Sequence, residues 1–295
     1  MDSILGRVRR GEILFCDGGM GTFLQAKGLQ PGECPELWCV ERPDDVKDVH
    51  RQYRRAGSDI VECNSFGGTR YKLRHYGLES RVREINRAAA SIARDVAGDN
   101  QYVLGSIGST GEFMEPYGTE TEAAFYEAYR EQIDALQEGG ADAVIIETMT
   151  GIEEASVAIR AARDNGRLVV VASFTFDPQA QGGYATMMGV TPERFASDAL
   201  AAGADIIGTN CGTGPDHMIE VVRLLHQAAP GAIIMAQPNA GMPVLEKGLT
   251  VFKETPEQMG AKAPKLVAAG ARILGGCCGT GPEHIAAMRK AIRGA

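Results

Sequence analysis

The sequence has no hydrophobic run long enough to span a membrane and no excess of basic residues. Its formal net charge is −8. That argues against a general nucleic-acid binder, which neutralises phosphates with clustered Lys and Arg. The opening MDSILGRVRRGEILF has neither an apolar core nor a small-residue cleavage site, so no signal peptide and no membrane anchor are read, and a cytoplasmic protein is expected. No C-x-x-C occurs, which removes the usual thiol redox motif. None of the five histidines (His50, His75, His217, His226 and His284) stands beside a cysteine as Cys/His catalysis requires. They read as surface or structural. A Gly-x-Gly-x-x-Gly fingerprint is missing from the first unit, where Gly18-Gly19-Met20-Gly21 is too short for it.

What is present is a rhythm across all 295 residues. Eight short apolar runs lie near Ile13–Gly18, Asp59–Asn64, Tyr102–Gly108, Ala143–Thr148, Leu168–Phe176, Asp205–Cys211, Ala232–Pro238 and Ala271–Cys277. Amphipathic stretches alternate with them near Asp44–Ala56, Ser80–Ala97, Glu120–Glu138, Gly151–Asn165, Thr191–Ala202, Pro215–Ala228, Thr255–Ala269 and Pro282–Ile292. Four joins repeat one pattern: Ala56-Gly57-Ser58-Asp59, Gly139-Gly140-Ala141-Asp142, Ala202-Gly203-Ala204-Asp205 and Ala269-Gly270-Ala271-Arg272. A glycine there can take positive φ and stop a helix just before a strand. Buried strands alternating with helices imply a parallel sheet. Eight units predict a (β/α)8 TIM barrel, one domain over residues 1–295, in preference to an open doubly wound sheet.

Barrel chemistry sits at the C-terminal strand ends. Those ends carry Asp17; Glu62, Asn64 and Ser65; Gly108 and Ser109; Glu147; Ser173 and Thr175; Asn210 and Cys211; Gln237 and Asn239; and Cys277 and Cys278. The seven cysteines are an odd number, which favours metal or thiol chemistry over a disulfide framework. Cys277-Cys278 is flanked by glycines, and Cys211 lies one strand removed in a barrel, so three thiolates can meet. Such a set suits zinc with one coordination position open, or a closed structural site if a carboxylate or histidine completes it. Cys16 and Cys63 read as buried small hydrophobes and Cys34 and Cys39 as incidental. Asp17 and Glu147 are acids at buried strand ends. They need a partner, either an internal Lys or Arg or the ammonium of an amino-acid substrate. Glycine amides near Asp17, or Ser109 and its neighbours, would then take the substrate carboxylate. The turn Gly275–Gly281 could instead bind phosphate, but it holds no Lys or Arg.

Six motifs, in order along nearly the whole chain, make the sequence resemble the homocysteine S-methyltransferase family. They are Asp17-Gly18-Gly19-Met20-Gly21-Thr22, Cys63-Asn64-Ser65-Phe66, Glu147-Thr148-Met149, Thr209-Asn210-Cys211-Gly212, Pro238-Asn239-Ala240-Gly241 and Gly275-Gly276-Cys277-Cys278-Gly279-Thr280. The second departs conservatively from the family's Thr-Asn-Thr-Phe. The resemblance implies a barrel in which Cys211, Cys277 and Cys278 hold zinc and act in catalysis, and Asp17 and Glu147 bind the homocysteine amino group. The expected substrate-binding set is Asp17, Gly18, Gly19, Thr22, Ser109, Glu147 and Asn210. The product would be methionine. The Met20-Gly21-Thr22 and Pro238–Pro243 stretches look most like the homocysteine-binding module of cobalamin-dependent methionine synthase. The expected donor is therefore methylcobalamin or another methylcorrinoid, free or on a corrinoid protein partner. S-methylmethionine, S-adenosylmethionine or betaine are the alternative donors, with Trp38, Phe113 and Tyr117 as cation–π candidates for a sulfonium. A non-catalytic zinc or methyl-carrier module and a phosphate-binding barrel enzyme are the competing classes.

Overall fold

A computed structural model describes residues 2–99, 101–246 and 249–294. Eight parallel strands form one sheet: β1 Leu14–Phe15, β2 Ile60–Glu62, β3 Tyr102–Ile107, β4 Ala143–Met149, β5 Val169–Phe174, β6 Ile206–Cys211, β7 Ile233–Pro238 and β8 Ala271–Leu274. Their order around the sheet is β1-β8-β7-β6-β5-β4-β3-β2. The β1–β2 seam is bridged by Asp59, whose N–H donates to Phe15 O at 2.6 Å and whose Oδ2 accepts from Phe15 N at 2.9 Å. Counting only the helices between strands, α1 is Pro43–Ala56, α2 Val82–Ala97, α3 Glu122–Glu138 and α4 Ile152–Asn165. They are followed by α5 Pro192–Ala202, α6 Pro215–Ala228, α7 Pro256–Ala269 and α8 Pro282–Arg293. The fold is a (β/α)8 barrel.

The local chemistry of the joins explains the regularity. Gly57, Gly140, Gly203 and Gly270 all have positive φ, from 95° to 127°. The aspartate two residues on from the first three then reaches sideways. Asp59, Asp142 and Asp205 each accept from a backbone N–H at the start of the preceding strand, at Phe15, Val103 and Val170. Each also meets an arginine: Arg293 with Asp59, Arg94 with Asp142, Arg163 with Asp205. Thr121, Thr191 and Thr255 cap α3, α5 and α7 through their side chains.

Strand alternation divides the core in two. One face packs Phe15, Val61, Val103, Val144, Ile146, Val170, Ile207 and Leu274 against the helices. The other fills the barrel's lower half with Leu14, Ile60, Leu104, Ile145, Val171, Ile206, Met235 and Ile273. Ile4 and Val8, on the short helix Ile4–Arg9, join that interior cluster. Two residues further along, the same inward alternation reaches Glu62, Ser106, Glu147, Ser173 and Gln237. The barrel interior is thus apolar below and polar above.

Candidate active site

The polar layer opens on a cavity of about 360 Å³ at the C-terminal mouth. Among the described residues its walls include Gly18, Gly19, Thr22, Glu62, Ser106, Glu147, Cys211, Gln237, Cys277 and Cys278, and no Lys, Arg or His.

The sulfur corner is built from two strand ends. The sulfurs of Cys211, Cys277 and Cys278 all lie within 4.8 Å of one another. Cys211 has φ 61°, one of only two non-glycine residues with positive φ among those described. That turn brings its side chain to the cavity directly after the inward-facing Asn210. The Cys277–Thr280 turn is stapled on both sides. Cys277 N donates to Pro238 O at 2.9 Å, Gly276 N to Asp17 O at 2.9 Å, and Gly19 N to Thr280 O at 3.0 Å. Such closeness requires glycine: a Cβ on Gly18 would stand 2.4 Å from Thr280 O, and one on Gly19 would stand 2.8 Å from Cys277 O. The Asp-Gly-Gly opening therefore serves the cysteine turn. The Gly19 amide is already spent and is not free for a substrate carboxylate.

The three thiols share their protons unevenly. Hydrogen bonds from Cys277 and Cys278 pull Cys211 down to about 3. The same bonds drive Cys277 well above its ordinary value, and Cys278 to about 11. One thiolate forms readily, and a second and third form only beside a positive charge. Three partly exposed sulfurs with that behaviour fit a soft, thiophilic cation with one face left open, and zinc is such an ion.

The acid corner faces it. Asp17 and Glu147 are buried, and Glu62 lies between them with some exposure to the cavity. Asp17 sits one layer behind the wall: its Oδ2 accepts from Glu62 N at 2.9 Å, and its Oδ1 from the Cys16 thiol at 3.5 Å. Burial first, and then the neighbouring charges of Glu147 and Asp17, push Glu62 well up. Burial pushes all three acids up, Asp17 to about 8, Glu62 and Glu147 upward as well. No basic side chain stands among the described wall residues, so an external cation would be the partner these acids lack.

Glu147 is held from behind. Ser106 Oγ donates to its Oε1, and Asn210 Nδ2 to its Oε2 at 3.1 Å. Asn210 also donates to Thr148 Oγ1 at 2.7 Å and accepts from Thr148 N at 3.0 Å and Ser173 Oγ at 2.7 Å. Thr148 is the second non-glycine residue with positive φ among those described, at 56°, and β4 shifts register between Ile146 and Met149. The irregularity turns both Glu147 and Thr148 toward the cavity. Asn210 thus ties the acid corner to the strand end that carries Cys211.

Among the sequence-selected residues, the cavity gathers Gly18, Gly19, Thr22, Glu147 and the three cysteines. Asp17 and Asn210 lie directly behind it. Ser109 is not in the walls; Ser106, the last inward residue of β3, stands there instead. Trp38 is buried, with the Arg42 guanidinium 3.7 Å over its ring, so that face is already occupied. Phe113 and Tyr117 are exposed, at 58% and 90%. Of the histidines, His50 is fully buried with neither ring nitrogen paired, and burial lowers it to about 4. His284 accepts from Gly281 N at the start of α8. Glu62, Asn64, Ser65 and Gln237 are wall residues that sequence reasoning placed at strand ends without selecting.

The fold and site together define a barrel with a thiol cluster at its catalytic end, and comparison with known proteins specifies it. The family model for homocysteine S-methyltransferase matches residues 14–292. The chain belongs to that family. It is 32% identical over 311 residues to methionine synthase from Mycobacterium tuberculosis, and 33% identical over 305 residues to that from Mycobacterium leprae. It covers 99% and 95% of this chain in those matches but only 25% and 24% of the two relatives, so it spans about a quarter of their length. The metallated form of the homocysteine methyltransferase MmuM from Escherichia coli superposes with a TM-score of 0.78 at 25% identity, covering 96% of this chain and 98% of that one. Among the described residues, no helix is long and apolar enough to cross a membrane.

Proposed function

We propose that this chain acts as a single barrel unit over residues 1–295, binds homocysteine, and transfers a methyl group to its thiol to give methionine. One observation carries the reading: two anionic corners, one of sulfur and one of carboxylate, line a single cavity in which no described wall residue supplies a cation. Homocysteine has a thiol at one end and an ammonium at the other, and a metal would complete the match.

Glu147 and Glu62, backed by Asp17, receive the ammonium and give up the protons that burial favours. Ser106 and Asn210 keep Glu147 pointed at it. Cys211, Cys277 and Cys278 would hold zinc. A zinc ion there supplies the positive charge that keeps an incoming thiol deprotonated at neutral pH, where a free thiol with pKa ~8.5 is mostly protonated. The substrate thiolate attacks the donor methyl carbon in line. A C–S bond forms as the donor–methyl bond breaks, and the donor leaves with the bonding electrons.

The donor in this reading is a methylcorrinoid, methylcobalamin itself or one carried on a partner protein. The mouth supports a macromolecular carrier. Among the described residues, Phe66, Tyr76, Phe113, Tyr117, Met187, Met188, Met242 and Leu245 are the exposed large apolar side chains, and every one lies in a strand-to-helix connection at the mouth. An apolar rim confined to one end marks a docking face.

An anaerobic assay of zinc-loaded protein with homocysteine and methylcobalamin tests this. The expected result is zinc- and homocysteine-dependent loss of the cobalt–methyl absorbance with methionine appearing. Turnover only with S-methylmethionine, S-adenosylmethionine or betaine would overturn the corrinoid assignment. No methionine from any donor would overturn the enzyme reading in favour of a non-catalytic carrier-binding module.

A further inference from the structure

An ammonium group has three N–H donors, and beside Ser106 and Gln237 the walls offer two carboxylates, Glu62 and Glu147; the third wall acid, Glu36, is already engaged by Gly67 N at 2.7 Å and the Cys34 thiol at 3.3 Å. Gln237 stands beside them on β7. It is 2% exposed, lines the cavity, and donates from Nε2 to Glu62 Oε2 at 2.9 Å. Its Oε1 is buried without any hydrogen-bond partner. A buried amide oxygen left unpaired is costly, so such an atom usually has a donor reserved for it. The side chain has little freedom to find one elsewhere. Its stem packs at the Gly275 backbone, where an added Cβ would meet Gln237 Cγ at 3.1 Å and Cys16 Cβ at 2.9 Å. The bond to Glu62 fixes the amide's orientation, because the nitrogen, not the oxygen, must face the carboxylate.

We propose that Gln237 Oε1 is the third acceptor of the substrate ammonium, so that the site selects a primary amine and rejects its N-methylated counterpart. The inference rests on the homocysteine reading of the pocket. With Glu62, Glu147 and Gln237 each taking one N–H, a methyl on nitrogen would displace one of the three and strand a polar atom against carbon. Gln237 is then a specificity residue at the end of the substrate away from the reacting sulfur.

The test is calorimetric binding of homocysteine and of N-methylhomocysteine to zinc-loaded protein, with no methyl donor present. Wild type is expected to prefer homocysteine by at least about tenfold, the scale of one hydrogen bond to a charged group. Gln237→Met, similar in size but without the acceptor, should weaken homocysteine about ten- to a hundredfold and N-methylhomocysteine far less. Equal weakening of both ligands in Gln237→Met would mean a packing role only and would overturn the proposal. Equal affinity of wild type for the two ligands would overturn it without any variant. Failure of wild type to bind either would instead remove the homocysteine reading on which the inference depends.

Discussion

The sulfur corner and the acid corner face each other across one cavity and obey the same electrostatics, yet they are built differently. The sulfur corner rests on backbone. Its turn is held by main-chain bonds to Pro238, Asp17 and Gly19, and two glycines allow that contact. The acid corner rests on side chains: Ser106, Asn210, Gln237 and Cys16 each bond a carboxylate. Both are deficient in positive charge. The difference teaches what each must do. A metal site needs fixed donors at close range, which backbone staples give. An ammonium site needs acids that exchange a proton for a ligand, which a side-chain network allows.

The largest effect is expected at the sulfur corner. Cys278→Ser replaces a soft donor with a hard one. Zinc content measured by atomic absorption should fall from about one per chain toward zero, and methyl transfer with it. Retained zinc and full activity would show that the two remaining sulfurs suffice.

Glu147→Gln should separate the corners. Losing one partner of a buried charge pair costs about 2–5 kcal/mol, so KM for homocysteine should rise at least about thirtyfold. Zinc content should not change. Loss of zinc in this variant would mean that the corners are one structural unit.

Binding should also depend on pH through the acid corner alone. Asp17 is pushed up to about 8 by burial. Below that pH the empty pocket holds an extra proton, which an ammonium must expel. Affinity for norvaline, which has the ammonium but no thiol, should therefore fall as pH drops from 8 toward 6, by up to about tenfold per unit. A flat profile would place the carboxylates outside the binding step.

The smallest effect is expected at the staple. Gly18→Ala drives a Cβ into Thr280 O. Overpacking of this kind costs about 1–3 kcal/mol, to be read as a lowered Tm. An unchanged Tm would mean that the turn shifts freely.

Much of this was legible in the sequence. All eight strands and eight helices fall where hydrophobic period and Gly-x-Asp punctuation put them, because a buried parallel strand and an amphipathic helix write different patterns. The cysteine triad was legible because Cys277-Cys278 is rare and flanked by glycine. Glu62 and Gln237 were not singled out. A lone Glu or Gln at a strand end carries no motif, and only its neighbours on other strands reveal its role. Ser109 illustrates the reverse. It follows an apolar run as a strand-end residue should, but β3 turns away at Gly108 beneath the Phe66 ring, and Ser106 takes the wall. The helix Met20–Ala26 is only seven residues long, too short to show a period.

The most direct test of two corners reading two ends of one substrate is a pair of calorimetric titrations, homocysteine and norvaline, each on metal-free and zinc-loaded protein. The account predicts that zinc tightens homocysteine and leaves norvaline unchanged, since only the thiol meets the sulfur corner. Equal tightening of both ligands, or no tightening of homocysteine, would contradict it.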